Sequence, residues 1–310
     1  MNTETHEPLF EPVLLNGRFY LETIINTGGM SSIYQAQDIL SGSKVVVKLC
    51  VNGEKLKDFQ QEIRILRSCA HPAIQKVLAA GDYHDCPYYV MPFHDGNNLR
   101  EYLDTVFRIT EKEVLELFLQ ITDAVAYLHK HHILHNDLKP QNILIEPGGR
   151  IILSDFGLST RVNPLHRRKT VPDTIWGSPV YLAPELAEGK SATFSSDVYS
   201  LGVILFLIYT GFPPFLHDDL DLLIIMHQTL PPPAPRLIVP TISSSMNAII
   251  LRCLSKQPRD RFKNALELHD EVSSFLDAHR SQSEQAVIQR RPDMSSIDQK
   301  TRKLRDASSD

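Results

Sequence analysis

The hydrophobic pattern of this chain changes period once, and that change limits the architectures open to it. From Tyr20 to about Met91 the apolar residues fall in short β-prone runs, Tyr20–Ile25, Ser32–Asp38, Lys44–Cys50 and Tyr88–Met91, with turn pairs at Gly28–Gly29 and Ser41–Gly42. One helical segment interrupts them. In Asp58–Cys69, Phe59, Ile63 and Leu66, and less regularly Ile65, make an apolar face that His71–Pro72 ends. His94–Asn98 is polar and turn-forming, a candidate hinge. Beyond it the period becomes helical. Thr110 and Glu113 form a capping-box signature ahead of Val114, Leu117, Phe118, Ile121, Val125 and Leu128. A further helix, capped by Ser195 or Ser196, is expected to run to Thr210 with Gly211 just past its end. It is apolar nearly all round, so it belongs in a core. The fold class read from this is α+β: a β-rich unit with one helix, then a mainly helical unit. The expected boundaries are an N-terminal extension over 1–17, the first unit over 18–93, the second over 94–279, and a flexible Ser-, Gln- and charge-rich tail over 280–310. The proline-rich stretch Leu230–Pro240 is expected to be an ordered loop between helices.

Composition excludes several functional classes. A net charge of −5 provides no basic footprint for nucleic acid or an anionic membrane. Cys50, Cys69, Cys86 and Cys253 form no C-x-x-C pair, which argues against a zinc ribbon or redox motif and for reduced thiols. The segment Met1–Leu15 lacks the basic and apolar regions of a signal peptide. The longest apolar run, Val203–Tyr209, is far short of the ~20 residues of a membrane helix. The expectation is a soluble, cytoplasmic protein with neither nucleic acid nor membrane as partner.

Five groups of residues carry chemistry, in one order along the chain. Asn26 to Ser31 (N-T-G-G-M-S) is a Gly-rich hairpin through which backbone N–H groups can approach phosphates; alone it is no more than a hairpin. Lys48 ends the apolar run Val45–Val47, where an ammonium needs a partner unless it snorkels to the surface, and Glu62 on the next helix can supply the counter-charge. His135 to Asn142 (H-N-D-L-K-P-Q-N) abuts the apolar run Ile143–Ile145. There Asp137 can orient or deprotonate a hydroxyl, Lys139 can neutralise a phosphoryl group, and Asn142 offers an oxygen to a hard metal ion. Asp155 to Gly157 (D-F-G) follows the strand-like Ile151–Leu153, and Asp155 can bridge Mg²⁺ to phosphates. Last come Gly177 to Glu185 (G-S-P-V-Y-L-A-P-E), Asp197 and Arg261. Here Glu185 and Arg261 point to a structural ion pair, and Asp197 to an acceptor for backbone N–H groups.

This ordered set resembles the eukaryotic-type protein kinase family from about Phe19 to Ala278. The stretch Gly28 to Asp38 resembles its bacterial branch, whose usual form is G-G-M-G-x-V-Y-x-A-x-D, and the chain reads as a catalytic domain without a sensor domain. The resemblance implies a bilobal fold with ATP between the lobes and Mg²⁺ as the metal, Mn²⁺ being an allowed substitute. It implies that Asp137 and Lys139 are catalytic and that Asn142 and Asp155 bind metal. Lys48, Glu62, Gly28, Gly29, Ile33, Val46, Met91, Phe93 and Leu144 would form the ATP site, with Met91 as gatekeeper and Pro92–His94 as the hinge. Leu66, Val77, His135 and Phe156 would stack as a spine anchored on Asp197. Lys139 and Ser178 imply serine/threonine hydroxyls of protein substrates as acceptors, with autophosphorylation. A homodimer is not readable from the sequence.

The departures from the pattern are specific. Asn26 and Ser31 replace loop glycines, Asn26 being a residue that tolerates positive φ. Val46 replaces the usual alanine over the adenine, and Pro92 a common glutamate in the hinge. Asn136 stands where many kinases carry the arginine that receives an activation-loop phosphate, so activity is expected not to depend on that pair. Thr170 and Thr174 are candidate phosphosites, with Arg161, Arg167, Arg168 and Lys169 nearby. The rival readings are a pseudokinase serving as a nucleotide-binding or scaffold module and a small-molecule kinase. Intact Lys48, Glu62, Asp137, Asn142 and Asp155 argue against the first, and the Gly177–Glu185 segment against the second.

Overall fold

The computed structural model describes residues 13–106, 108–162, 178–279 and 287–289. The first lobe is a six-stranded antiparallel sheet in the order β1-β2-β3-β4-β6-β5. Its strands are β1 (Leu14–Leu15), β2 (Phe19–Thr27), β3 (Ser31–Asp38), β4 (Ser43–Cys50), β5 (Ala79–Tyr83) and β6 (Cys86–Pro92), with helix α1 (Leu56–Ser68) between β4 and β5. The sheet therefore begins at Leu14, ahead of the expected boundary at 18. Strand β5 carries no β-branched residue and had no sequence signal; it is a strand because it pairs with β6.

Cross-strand partners share a face of a sheet. The registers Ile33↔Lys48↔Tyr89 and Gln35↔Val46↔Met91 thus put Ile33, Val46, Lys48, Tyr89 and Met91 on one face. The other face carries Tyr34, Val45, Val47 and Val90, which close a separate small core with Leu15, Phe19 and Leu21. Helix α1 buries Phe59, Glu62, Ile65 and Leu66. The buried stripe thus contains a carboxylate, and Ile63 packs only partly buried beside it.

The second lobe opens with β7 (Asn97–Asn98), α2 (Leu99–Thr105), β8 (Arg108–Thr110) and α3 (Glu111–Lys130). Both helices start in complete capping boxes, Asn98 with Glu101 and Thr110 with Glu113. Next come β9 (Ile133–Leu134), β10 (Ile143–Ile145), β11 (Ile151–Leu153) and β12 (Thr160–Arg161), which pair as β11-β10-β7 and β12-β9. The remaining helices are α4 (Pro184–Ala187), α5 (Phe194–Thr210), α6 (Leu220–Thr229), α7 (Pro235–Ile238), α8 (Ser244–Cys253) and α9 (Ala265–Ala278). Helix α5 is buried along nearly its whole length, and Gly211 ends it at φ 91°, a conformation that favours glycine. Its cap is Thr193, whose N–H donates to the Ser196 hydroxyl, rather than Ser195 or Ser196 itself. The proline-rich stretch contains the short helix α7, with Pro235 in its first turn.

One expectation is corrected for part of the tail. Residues 287–289 form strand β13 (Val287–Gln289), antiparallel to β8, and Ile288, opposite Ile109, is only 3% exposed. The three-residue apolar run Ala286–Ile288 in a polar stretch is too short for periodicity to register, yet Ile288 joins the apolar cluster beside α3. Among the described residues no helix is long and apolar enough to cross a membrane, and all four cysteines are free.

Candidate active site

Lysine 48 reaches the cleft because strand alternation places it on the same face as Tyr89 and Met91. Its ammonium donates to Glu62 Oε1 at 2.7 Å and to Asp155 Oδ1 at 3.2 Å. Burial opposes its charge, but Glu62 and Asp155 outweigh that effect and raise its pKa above the ordinary lysine value. Tyr89 donates its hydroxyl to the same Glu62 oxygen at 2.9 Å, a contact the sequence did not announce. Glu62 Oε2 is buried and has no hydrogen-bond partner.

The loop between β9 and β10 is held from beneath. Asp197, at the start of α5, accepts the backbone N–H groups of His135 and Asn136, each at 3.0 Å, and the ring N–H of His129 at 3.0 Å. Burial works against the Asp197 carboxylate, but these donors lower its pKa below the ordinary value. His135 is fully buried, and that burial lowers its pKa; its ring lies 4.9 Å from that of Phe156. Leu66, Val77 and Phe156 share one apolar cluster beside it. Of the four residues expected to stack, His135 and Phe156 are in ring contact and Asp197 holds the His135 backbone.

On this support the polar groups converge. Asp137 Oδ2 accepts from Lys139 at 2.6 Å and from the Asn142 amide at 3.0 Å, and Oδ1 accepts from the Ser178 backbone N–H at 3.3 Å. Asn142 also donates to the Asp137 carbonyl, so its amide nitrogen is occupied and its oxygen is left for a ligand. Asp155 has φ 57° and a side chain 47% exposed. Lys48 outweighs the effect of burial there and lowers the pKa of the carboxyl. Ile33, Val46, Met91, Phe93 and Leu144 are each half-buried. In the Gly-rich hairpin, a Cβ at Gly29 would meet nothing within 4 Å, and Asn26 is not among the positive-φ residues. The conformational tolerance expected of Asn26 is therefore unused: it pairs with Ile33 inside the β2–β3 ladder.

Asn136 does have φ 65°, and its amide donates to the Leu158 carbonyl at 2.8 Å and to the Thr160 hydroxyl at 3.0 Å. The residue in the phosphate-receiving position thus pins the strand after D-F-G directly. Arg161, expected near a phosphate, donates to the Ser68 hydroxyl at 2.5 Å at the end of α1. Thr170, Thr174, Arg167, Arg168 and Lys169 lie outside the described residues. At the hinge, sequence reasoning named His94 but missed its partner: its Nδ1 lies 2.6 Å from Glu146 on the loop after β10. A histidine and a glutamate 52 positions apart carry no local signal.

A small pocket beside this loop is lined by Asp137, Ser178, Tyr181, Leu182 and Leu186. A buried lysine on the sheet is thus paired with a glutamate on α1, and an aspartate–lysine–asparagine set is gathered on the loop between β9 and β10. The protein kinase domain model matches residues 19–272. The chain belongs to the protein kinase domain family.

Among its relatives, serine/threonine-protein kinase PrkC of Bacillus subtilis is 32% identical over 285 residues, covering 90% of this chain and 44% of PrkC. A probable serine/threonine-protein kinase of Streptomyces coelicolor is 33% identical, covering 86% of this chain and 41% of that protein. Serine/threonine-protein kinase PknB of Mycobacterium tuberculosis is 31% identical, with shares of 84% and 43%. The chain spans under half the length of these relatives.

Proposed function

We propose that this chain is a serine/threonine protein kinase that transfers the ATP γ-phosphate to hydroxyls of protein substrates, itself included. The observation that carries this reading is Asp137, whose carboxylate is oriented by Lys139, Asn142 and the Ser178 amide beside a small pocket. Such a carboxylate aligns an acceptor hydroxyl and accepts its hydrogen bond. Lys139, adjacent to it, lies where the transferred group would carry charge. Lys48, held by Glu62, would bind the phosphates of ATP, and the half-buried Ile33, Val46 and Leu144 its base.

The donor set fits a magnesium ion, with manganese as a substitute. Asn142 keeps an oxygen free and Asp155 a half-exposed carboxylate. Mg²⁺ typically takes one or two protein oxygens and completes its shell with water and phosphate. When bound it would neutralise charge between the phosphates. No residue of the catalytic set is replaced, so a scaffold role has no observation in its favour. ATP as donor agrees with the cytoplasm as the site of action.

The test is incubation with labelled ATP, Mg²⁺ and a generic protein acceptor, beside Asp137→Ala. Transfer that vanishes in the variant is the expected outcome. Equal labelling in both, or none in either with ATP still bound, would overturn the reading.

A further inference from the structure

Lys256 sits between α8 and α9, away from ATP, and its ammonium is spent on the end of another helix. It donates to the carbonyls of Met226 at 3.2 Å and His227 at 2.6 Å, in the last turn of α6, and lies 4.4 Å over the Phe215 ring. A cation at a helix C-terminus is favoured by the helix dipole, and here the Met226 carbonyl accepts from the Leu230 N–H as well as from Lys256. Burial, reinforced by Arg261, lowers the pKa of Lys256 to about 8. The backbone carbonyl of Lys256 separately accepts from Arg261 at 3.0 Å, a bond that side-chain substitutions retain.

Helix α6 packs against the turn Pro179–Tyr181, which borders the pocket beside Asp137. From α6, the wholly buried His227 places Nδ1 2.8 Å from the Tyr199 hydroxyl of α5. Burial, and then the Lys256 charge, push His227 down to about 3, so its ring is neutral. With Nδ1 accepting from Tyr199, the ring proton is assigned to Nε2. That nitrogen is buried and has no hydrogen-bond partner, while the Val180 carbonyl is the backbone group that acts on the ring. Val180 belongs to the Pro179–Tyr181 turn, so the His227 ring faces that turn where α6 packs on it.

We infer that Lys256 and His227 form a latch that positions the Pro179–Tyr181 turn for the acceptor peptide, making both positioning residues for substrate binding. The inference rests on the kinase reading above. The latch acts on the peptide side only: Lys256 fixes the end of α6, α6 holds His227, and His227 with Tyr199 braces the turn. ATP binds across the lobes, and none of these contacts reaches its residues.

The experiment compares wild type with Lys256→Met, Lys256→Arg and Tyr199→Phe. Tyr199→Phe removes one hydroxyl and leaves the ring. The acceptor is a Ser/Thr peptide selected by the wild type from a randomised library. The expected result is a peptide KM raised about tenfold in Lys256→Met and about threefold in Tyr199→Phe, with kcat and the KM for ATP within about twofold. Lys256→Arg should restore the peptide KM. Hydrogen exchange at amides 178–186 should quicken in Lys256→Met and not in Lys256→Arg. An unchanged peptide KM with unchanged exchange would overturn the latch, as would equal losses in both KM values and in thermal midpoint, which mark a merely structural role. Absence of phosphate transfer by the wild type would overturn the kinase reading instead, and exchange at 178–186 would then decide the latch alone.

Discussion

Two buried ion pairs among the described residues, Glu185–Arg261 and Lys48–Glu62, are finished to different degrees. Glu185 and Arg261 meet through two bonds, at 2.9 and 2.7 Å, and Arg261 also donates to the carbonyls of Ser195, Ser255 and Lys256. Both are almost wholly buried, and both oxygens of Glu185 have partners, Oε1 accepting from the Ser196 hydroxyl as well. Lys48 and Glu62 are buried to a similar extent, but one Glu62 oxygen has no partner and the third member, Asp155, is half exposed. A closed set of bonds marks a pair whose work is done on folding. An open set marks a pair with capacity left for a ligand.

The largest difference should appear on removing the cation from each pair. Lys48→Met is expected to lower phosphate transfer about 10³-fold, the scale of a lost electrostatic partner for a charged group, while costing less stability than Arg261→Met. Water already reaches Asp155, so Glu62 and Asp155 can be rehydrated from the cleft. A thermal midpoint that falls further for Lys48→Met would break the comparison. Arg261→Met should destabilise by about 3–5 kcal/mol, because it strands a buried carboxylate far from solvent; urea unfolding measures it. A cost under about 1 kcal/mol would show that Glu185 simply takes up a proton.

A third closed element sharpens the contrast from outside the ion pairs. Ile288→Ala should cost about 2 kcal/mol, the low end for a buried isoleucine, and speed hydrogen exchange at 108–110. No change would mean that β13 leaves β8 freely. The smallest effect is expected from Thr170→Ala with Thr174→Ala. Asn136 already fixes the strand after D-F-G through Leu158 and Thr160, so the loss in rate should stay under about tenfold. A loss of several orders of magnitude would show that a phosphate supplies what Asn136 does not.

Most of the site was legible because its chemistry is packed into short runs. Asp137, Lys139 and Asn142 fall within one loop, and Lys48 terminates an apolar strand that can tolerate it only with a partner. The helix around Glu62 was legible too, though its start moved to Leu56. What stayed hidden has no local pattern. Strand β5 exists only by pairing, β13 depends on one isoleucine, and the Thr193 cap competes with two neighbouring serines for the same role. Tyr89 on Glu62, His94 on Glu146 and Lys256 on α6 join residues far apart in the chain.

The sequence by itself determined the two-lobed α+β order, the family and the identity of the charged groups in the cleft. Periodicity and dense polar runs are local properties, written within a few turns or one strand. The tertiary structure decided which charges are closed and which are open, and what Asn136 and His227 hold. Those outcomes depend on the distance between groups up to about a hundred residues apart (Lys48 and Asp155 are separated by 107). Only the folded chain sets such distances, since each is fixed by the packing of everything between.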